Sequence, residues 1–116
     1  MPLVGAAEER VRVLLASVEE EPEDPLGHYL LGTEYAALHR FDEAAASFRR
    51  AIEHKPDYTA AFRDLGKALR DAGRIEEARS AFQEGLAVAD RTHDVQTGKE
   101  MRVFLARLVR ESQGPR

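Results

Sequence analysis

The chain of 116 residues contains no cysteine and no asparagine, and it has no long apolar run. Without cysteine it can form neither a disulfide bond nor a thiolate metal site. No stretch approaches the roughly 18 apolar residues of a membrane-spanning helix. Nothing resembles a secretory signal, because Arg12 interrupts the short apolar stretch within residues 11–18. We therefore expect a cytoplasmic protein without a membrane partner.

Basic residues are scarce in the first half of the chain. Residues 1–58 carry 6 basic and 12 acidic side chains, residues 59–116 carry 11 and 9, and the net charge is −4. General nucleic-acid binding requires a broad basic face, so this balance predicts no nucleic-acid partner. Arginine outnumbers lysine 14 to 3, which together with the abundant alanine suggests a bacterial source.

Residues that build chemical sites are few and poorly spaced. The four histidines, His28, His39, His54 and His93, include no pair at the spacing of a helical metal site. The sequence has no glycine-rich phosphate loop, and its serines have no evident base beside them. We therefore expect no enzymatic activity, no cofactor and no metal.

Helix-forming residues dominate instead. Alanine, leucine, glutamate and arginine are abundant, and 43% of the residues are apolar in a chain long enough for one core. The apolar residues within 11–18 have amphipathic helical spacing, and Asp24 with Pro25 predicts the start of the next helix. The same reasoning gives Asp42 as a helix cap. The predicted helices are 4–20, 25–38, 42–55, 59–72, 75–89 and 94–112, with a loop at Asp90–His93.

Two stretches of the chain repeat each other at an offset of 34 residues. The pattern His28-x2-Leu31-Gly32-x2-Tyr35 recurs as Phe62-x2-Leu65-Gly66-x2-Leu69, and Ala44-x3-Phe48 recurs as Ala78-x3-Phe82. A glycine inside a helix costs about 1 kcal/mol relative to alanine, and the chain accepts that cost twice. We therefore predict that a neighbouring backbone passes too close to each glycine for a Cβ, with Ala44 and Ala78 as the small residues that face them.

These residues and their spacing resemble the tetratricopeptide repeat family, whose units are helical pairs of 34 residues. The resemblance implies an all-α, right-handed superhelix of about six antiparallel helices with a C-terminal capping helix. It divides a single domain, residues 1–116, into a degenerate half repeat at 4–22, repeats at 25–58 and 59–92, and a capping helix at 93–112. His28 stands where the family has tryptophan, and we expect it to fill that aromatic position.

The last predicted helix departs from the 34-residue register. Its apolar stripe consists of Met101, Phe104, Leu105 and Leu108. This stripe aligns with that of helix 59–72 at an offset of 39, which predicts an insertion of about five residues. Terminal units of repeat arrays are often atypical in this way.

The resemblance also implies a function, because the family binds peptides or protein segments in a groove lined by the first helix of each pair. The groove-facing residues would be Tyr29, Thr33, Ala36 and Arg40 in the first repeat and Arg63, Lys67, Arg70 and Arg74 in the second. The four basic side chains favour an acidic peptide or a terminal carboxylate. Some relatives hold that carboxylate with Lys and Asn, a clamp that is incomplete in a chain without Asn. Alternatively, the chain's own acids neutralise these bases.

A second function that the sequence leaves open is that of a structural or assembly subunit. Two full repeats fall below the three or so that an independent solenoid usually needs. Such a chain would complete its core by forming a homo-oligomer or by docking into a larger complex through its terminal helices. Val103 and Val109 lie off the main stripe of the last helix and would be exposed there.

Overall fold

The computed structural model describes residues 5–114, and within them the chain forms six α-helices and no strand. The helices are α1 (Ala6–Glu20), α2 (Pro25–Ala37), α3 (Phe41–His54), α4 (Thr59–Asp71), α5 (Ile75–Thr92) and α6 (Val95–Ser112). Each helix packs against the next along the chain, and the molecule measures 51 × 34 × 20 Å. The predicted all-α architecture with six antiparallel helices is confirmed.

Helix starts agree only partly with the predicted caps. The side chain of Asp24 accepts a hydrogen bond from the backbone N–H of Leu26 at 3.0 Å, with Pro25 in the first position of α2. The prediction of Asp42 as a cap was wrong. Arg40 occupies the N-cap position of α3, and Asp42 lies in the first turn, where a negative charge is favourable at the positive end of the helix dipole.

The turns inside the two helix pairs have the same backbone conformation. His39 has φ 58°, and Gly73, which lies 34 residues later, has φ 80°. Both residues are left-handed, a conformation that glycine adopts without a steric penalty and histidine tolerates better than most residues. The turn geometry therefore repeats although the residue type does not.

The two mid-helix glycines lie against phenylalanine rings of the neighbouring helix. A Cβ on Gly32 would come within 2.6 Å of the Phe48 ring, and a Cβ on Gly66 would come still closer to the Phe82 ring. The predicted close approach is present, but the prediction that backbone or the alanines cause it was wrong. Because both rings are buried and tightly packed, they lack room to move aside.

The connection before α6 is shorter than predicted. Helix α5 continues to Thr92, so only His93, with φ 60°, and Asp94 separate it from α6. The prediction of a loop at Asp90–His93 was therefore wrong. Helix α6 begins at Val95, which is 36 residues after the start of α4 at Thr59. The insertion of about five residues, which rests on the apolar stripes and not on the helix starts, stays a prediction.

Only the first and last residues of the predicted apolar stripe of α6 are fully buried in the core. Met101 and Leu108 are fully buried, while Phe104 and Leu105 are half-buried at the edge of the core. Asp94 fixes the start of the helix, because its carboxylate accepts hydrogen bonds from the backbone N–H of Thr97 and from the Thr59 hydroxyl of α4. The Thr59 hydrogen bond is the largest of the effects that lower the pKa of Asp94.

His28 fills its predicted aromatic position. The ring is buried and stacks on His54 at 5.6 Å between centroids. Its Nε2 lies 2.7 Å from the carbonyl oxygen of Pro22, so the ring donates a hydrogen bond to the end of the connection between α1 and α2. Burial of this polar side chain is thus accompanied by a satisfied hydrogen bond.

Within residues 5–114, no helix is both long and apolar enough to cross a membrane. The same part of the chain contains no cluster of three or more His, Asp or Glu side chains that could hold a metal ion.

The glycine packing can be tested with one substitution at two places. Gly32→Ala should lower the free energy of unfolding by about 1–3 kcal/mol, because the added methyl group overlaps the Phe48 ring. Gly98→Ala is the matched control, since a Cβ there meets its nearest atom at an ordinary 3.5 Å. The control should be neutral or gain up to about 1 kcal/mol from helix propensity. Urea denaturation measures both changes.

The cause of the loss can be separated from a general effect of the substitution. In the Gly32→Ala background, Phe48→Leu should cost less than it costs in the wild type, because the smaller side chain relieves the overlap. Equal unfolding free energies of Gly32→Ala and Gly98→Ala would show that the close contact does not constrain the helix pair.

Candidate ligand-binding groove

The first helices of the pairs, α2 and α4, contact each other, and α4 also contacts α6, so the predicted groove would run along these three helices. Six of the eight predicted residues lie on these helices, namely Tyr29, Thr33, Ala36, Arg63, Lys67 and Arg70. Arg40 and Arg74 lie beyond the ends of α2 and α4, at the N-cap positions of α3 and α5. The groove-facing stripe is thus shorter than the sequence predicts.

A chain of polar contacts connects the three helices at one end of the groove. The Tyr29 hydroxyl of α2 donates to Asp64 of α4 at 2.5 Å. Arg63 donates from Nε to Asp64 at 2.9 Å and from a terminal nitrogen to Glu100 of α6 at 3.2 Å. The side chains of Arg63 and Asp64 are only 22% and 18% exposed. Arg63 is therefore committed to ion pairs within the chain.

This network changes the ionisation of its members. Burial and the hydrogen bond to Asp64 raise the pKa of Tyr29 from 10.0 to about 12. The hydrogen bond to Asp64 is also the main cause that raises the pKa of Arg63. Tyr29 is therefore a neutral donor and Arg63 a cation throughout the physiological range, and their joint partner Asp64 links α2 to α4.

Arg40 and Arg74 form matching contacts in the two turns. Arg40 makes a two-pronged ion pair with Glu43 at 2.7 Å, and Arg74 makes the same pair with Glu77, the residue 34 positions after Glu43. Arg74 also donates to Asp42 of α3 at 3.1 Å. Paired guanidinium and carboxylate groups of this kind hold the start of the second helix. The alternative prediction, neutralisation by the chain's own acids, describes these two residues well.

Lys67 and Arg70 lie at the opposite end of the groove, beside an aromatic ring. The Lys67 Nζ and the Arg70 guanidinium carbon each lie 5.5 Å from the ring centroid of Phe104, which α6 contributes. Arg70 also pairs with Asp71 at 2.9 Å. Within residues 5–114, Lys67 forms no ion pair, whereas the other three members of the predicted basic stripe, Arg63, Arg70 and Arg74, each form at least one.

A cleft of about 410 Å³ opens between α2 and α4 next to Lys67. Its walls are a mixture of polar and apolar side chains, with the Phe48 ring at its base and Asp64 and Asp71 on its α4 side. The cleft is lined by Thr33, Ala36, Ala37, His39, Phe41, Phe48, Asp64, Lys67, Ala68 and Asp71. Three predicted groove residues, Thr33, Ala36 and Lys67, therefore border one concave space.

Sequence reasoning missed two residues of this surface. Phe104 belongs to the predicted core stripe of α6, but its half-buried ring also reaches the groove beside Lys67 and Arg70. Asp64 is not among the predicted groove residues, and it accepts hydrogen bonds from Tyr29 and Arg63. Helical spacing identifies Phe104 as an apolar core residue but does not indicate that it reaches the groove. Nothing in the sequence indicates that Asp64 bonds a residue of another helix.

Comparison with known proteins identifies the family. A family model described as tetratricopeptide repeat matches residues 29–93, which is more than half of the chain. The chain belongs to the tetratricopeptide repeat family. It is 41% identical over 80 residues to the TPR repeat-containing protein PA0015 of Pseudomonas aeruginosa, and the alignment covers 69% of this chain and 76% of that protein.

Solved structures of tetratricopeptide repeat type are similar over most of the chain. Protein BPP2914 from Bordetella parapertussis matches with a TM-score of 0.76 and 37% identity, over 94% of this chain and 91% of that chain. The TPR2B domain of yeast Sti1, solved in a complex with pHsp70, matches with a TM-score of 0.82 and 19% identity, over 87% and 81%. At this lower identity the likeness shows the fold alone.

The contacts of Tyr29 predict that its hydroxyl loses its proton at a higher pH than a free tyrosine does. The unfolded chain loses the Tyr29 proton near pH 10 and the folded chain near pH 12, so the stability that neutral Tyr29 contributes is present below pH 10 and is lost as the pH rises towards 12. After discounting for partial exposure this contribution is about 1 kcal/mol. Burial also raises the pKa of Tyr58, so the test is whether ultraviolet absorbance shows a phenolate transition near pH 12 that Tyr29→Phe removes.

The same absorbance titration of the Asp64→Asn variant tests the role of the carboxylate. Because the amide carries no negative charge, the transition of Tyr29 should move to lower pH in that variant. A transition near pH 12 that keeps its full amplitude in Tyr29→Phe would contradict the assignment to Tyr29.

Proposed function

We propose that this tetratricopeptide repeat chain is a protein-interaction module that binds an acidic peptide or protein segment along α2, α4 and α6. The observation that carries the proposal is Lys67, a cation beside a cleft and an aromatic ring and without an ion pair in residues 5–114. A ligand carboxylate could pair with Lys67 without first breaking an internal ion pair. The concave faces of helical repeats are extended binding surfaces, which agrees with this use.

The neighbours of Lys67 supply the other contacts that a peptide needs. Arg70 lies over the same Phe104 ring, and because its Nε already pairs with Asp71, we propose that it adds a second positive charge without leaving that ion pair. The ring itself offers apolar surface for a ligand side chain. Together these three residues form the acid-recognition site of the proposal, and a charged group there would gain a charge-assisted hydrogen bond.

The cleft next to this site has the polarity that suits an extended backbone. Thr33 donates its hydroxyl proton to the carbonyl oxygen of Tyr29 at 3.1 Å, so its oxygen remains available to accept a peptide N–H. Ala36 and Ala68 are small and leave space above the Phe48 ring. A ligand side chain could therefore enter the cleft while its backbone follows α2 and α4.

Ion pairs within the chain limit the recognition of an acidic ligand group to the short section of the groove around Lys67. Arg40, Arg63 and Arg74 already pair with acids of the chain, and drawing them to a ligand would leave those acids unpaired. We therefore propose that one acidic group of the ligand carries most of the electrostatic attraction. The TPR2B domain of Sti1 in its complex with pHsp70 is a precedent for a partner bound to this fold.

The proposal can be tested with peptides selected from a random display library against the wild-type chain. Selected peptides should be rich in Asp and Glu. Lys67→Glu should weaken the tightest of them about tenfold or more, since it replaces a charge-assisted contact with repulsion. Fluorescence anisotropy at two salt concentrations measures the affinity, which should fall as salt rises.

Arg91→Glu is the matched control, because it makes the same reversal of charge at an exposed position near the end of α5. This variant should bind the selected peptide as the wild type does. Equal affinities of wild type and Lys67→Glu, with both chains folded by circular dichroism, would contradict the proposed acid-recognition site.

A further inference from the structure

Large apolar side chains are exposed only at the two ends of the array. Among residues 5–114, the large hydrophobic residues with high exposure lie on α1, α2 and α6, and α3, α4 and α5 carry none. They are Val13, Leu15, Leu26, Leu30, Val95, Val103 and Val109. Clusters of exposed apolar residues with polar rims mark interaction sites on soluble proteins.

At the first end, α1 packs on one helix of the described residues, α2, whereas its equivalent α3 packs on both α2 and α4. The 34-residue offset places Val13 and Leu14 of α1 where α3 has Ser47 and Phe48, which are both almost completely buried. Val13 is instead 60% exposed. It borders an open cleft of about 560 Å³ that we call the N-terminal surface, lined by Ala6, Glu9, Arg10, Val13, Leu14, Leu30 and Glu34.

At the other end, α6 lacks a following helix within the described residues. Helix α4 packs against both α3 and α5, whereas α6 packs against α5 and α4 alone. Leu105 is only half-buried, and Val103 and Val109 beside it are 54% and 38% exposed. We call Arg102, Val103, Leu105 and Val109 the C-terminal surface.

The two ends carry opposite charge. Residues 6–24 contain seven acidic and two basic side chains, whereas α6, residues 95–112, contains four basic and two acidic side chains. Within residues 5–114, the α6 cations Lys99, Arg107 and Arg110 form no ion pair. Glu19 and Glu20 at the end of α1 form none either. Opposite fields of this kind steer association and set its orientation.

We propose that the C-terminal surface of one copy packs on the N-terminal surface of a second copy. Helix α6 then serves as the missing first helix for α1, and α1 as the missing second helix for α6, in the manner of the α4–α5 pair. The contact is head to tail, so each copy keeps one free surface at either end, and association continues with rising concentration. The groove of α2 and α4 takes no part in the contact.

Two variants that each block one end test this arrangement. Val13→Arg places a cation on the N-terminal surface, and Val109→Glu places an acid on the C-terminal surface, so each variant repels its partner surface. In sedimentation velocity the wild type should show species that grow with concentration and dissociate in high salt. Each variant alone should remain monomeric. An equimolar mixture should associate again, because the unchanged surfaces of the two variants fit each other and the introduced Arg and Glu carry opposite charges.

Ala46→Glu is the matched control, since it places the same acid at an exposed apolar position of α3, away from both end surfaces. It should associate as the wild type does. Circular dichroism checks that all variants are folded, which is expected for exposed positions. A wild-type chain that stays monomeric at every concentration would overturn the proposal. So would a dimer formed by either blocked variant alone, because that result indicates a symmetric contact.

Discussion

The constraint on which the rest of the structure depends is the contact between a glycine of one helix and a phenylalanine ring of its partner. Phe48 lies against Gly32 and Phe82 lies against Gly66, and both rings are fully enclosed. Because the ring occupies the place of a side chain, the two helices of each pair approach closely and in the same orientation. A repeated pair then stacks with a repeated geometry, which sets α2 and α4 beside each other and creates a concave face.

The second consequence concerns charge on that face. Bringing α2, α4 and α6 together places Tyr29, Asp64, Arg63 and Glu100 within hydrogen-bonding reach, and they satisfy one another. Such a network strengthens the contact between repeats and removes Arg63 from easy use by a ligand. Lys67 lies one turn further along α4, beyond the reach of these acids. The charge available to a partner therefore comes from a short section of the groove rather than from a continuous basic stripe.

Much of the fold could be predicted because helix periodicity and the 34-residue offset are local properties of the sequence. The six helices, the buried His28 and the left-handed turn at Gly73 all follow from them. The wrong predictions concern features that are set by contacts between helices distant in the sequence. The extension of α5 to Thr92 is one of them. The position of α6 also involves contacts between helices, because Met101 of α6 and Phe62 of α4 lie where a Cβ on Gly85 would be. The partners of Arg63 and the position of Phe104 beside Lys67 depend on distances between helices that no spacing rule contains. The division into repeats and the ligand contacts of the groove remain predictions.

The central claim is that ligand recognition depends on Lys67, Arg70, Phe104 and the adjoining cleft. The most direct measurement is the mapping of amide chemical shifts by nuclear magnetic resonance during titration with a selected acidic peptide. The shifts should concentrate at Thr33, Ala36, Lys67, Arg70 and Phe104, and the signals of the exposed residues of α3 and α5 should stay unchanged. Shifts centred on Arg40 and Arg74, or on the outer faces of α3 and α5, would contradict the central claim.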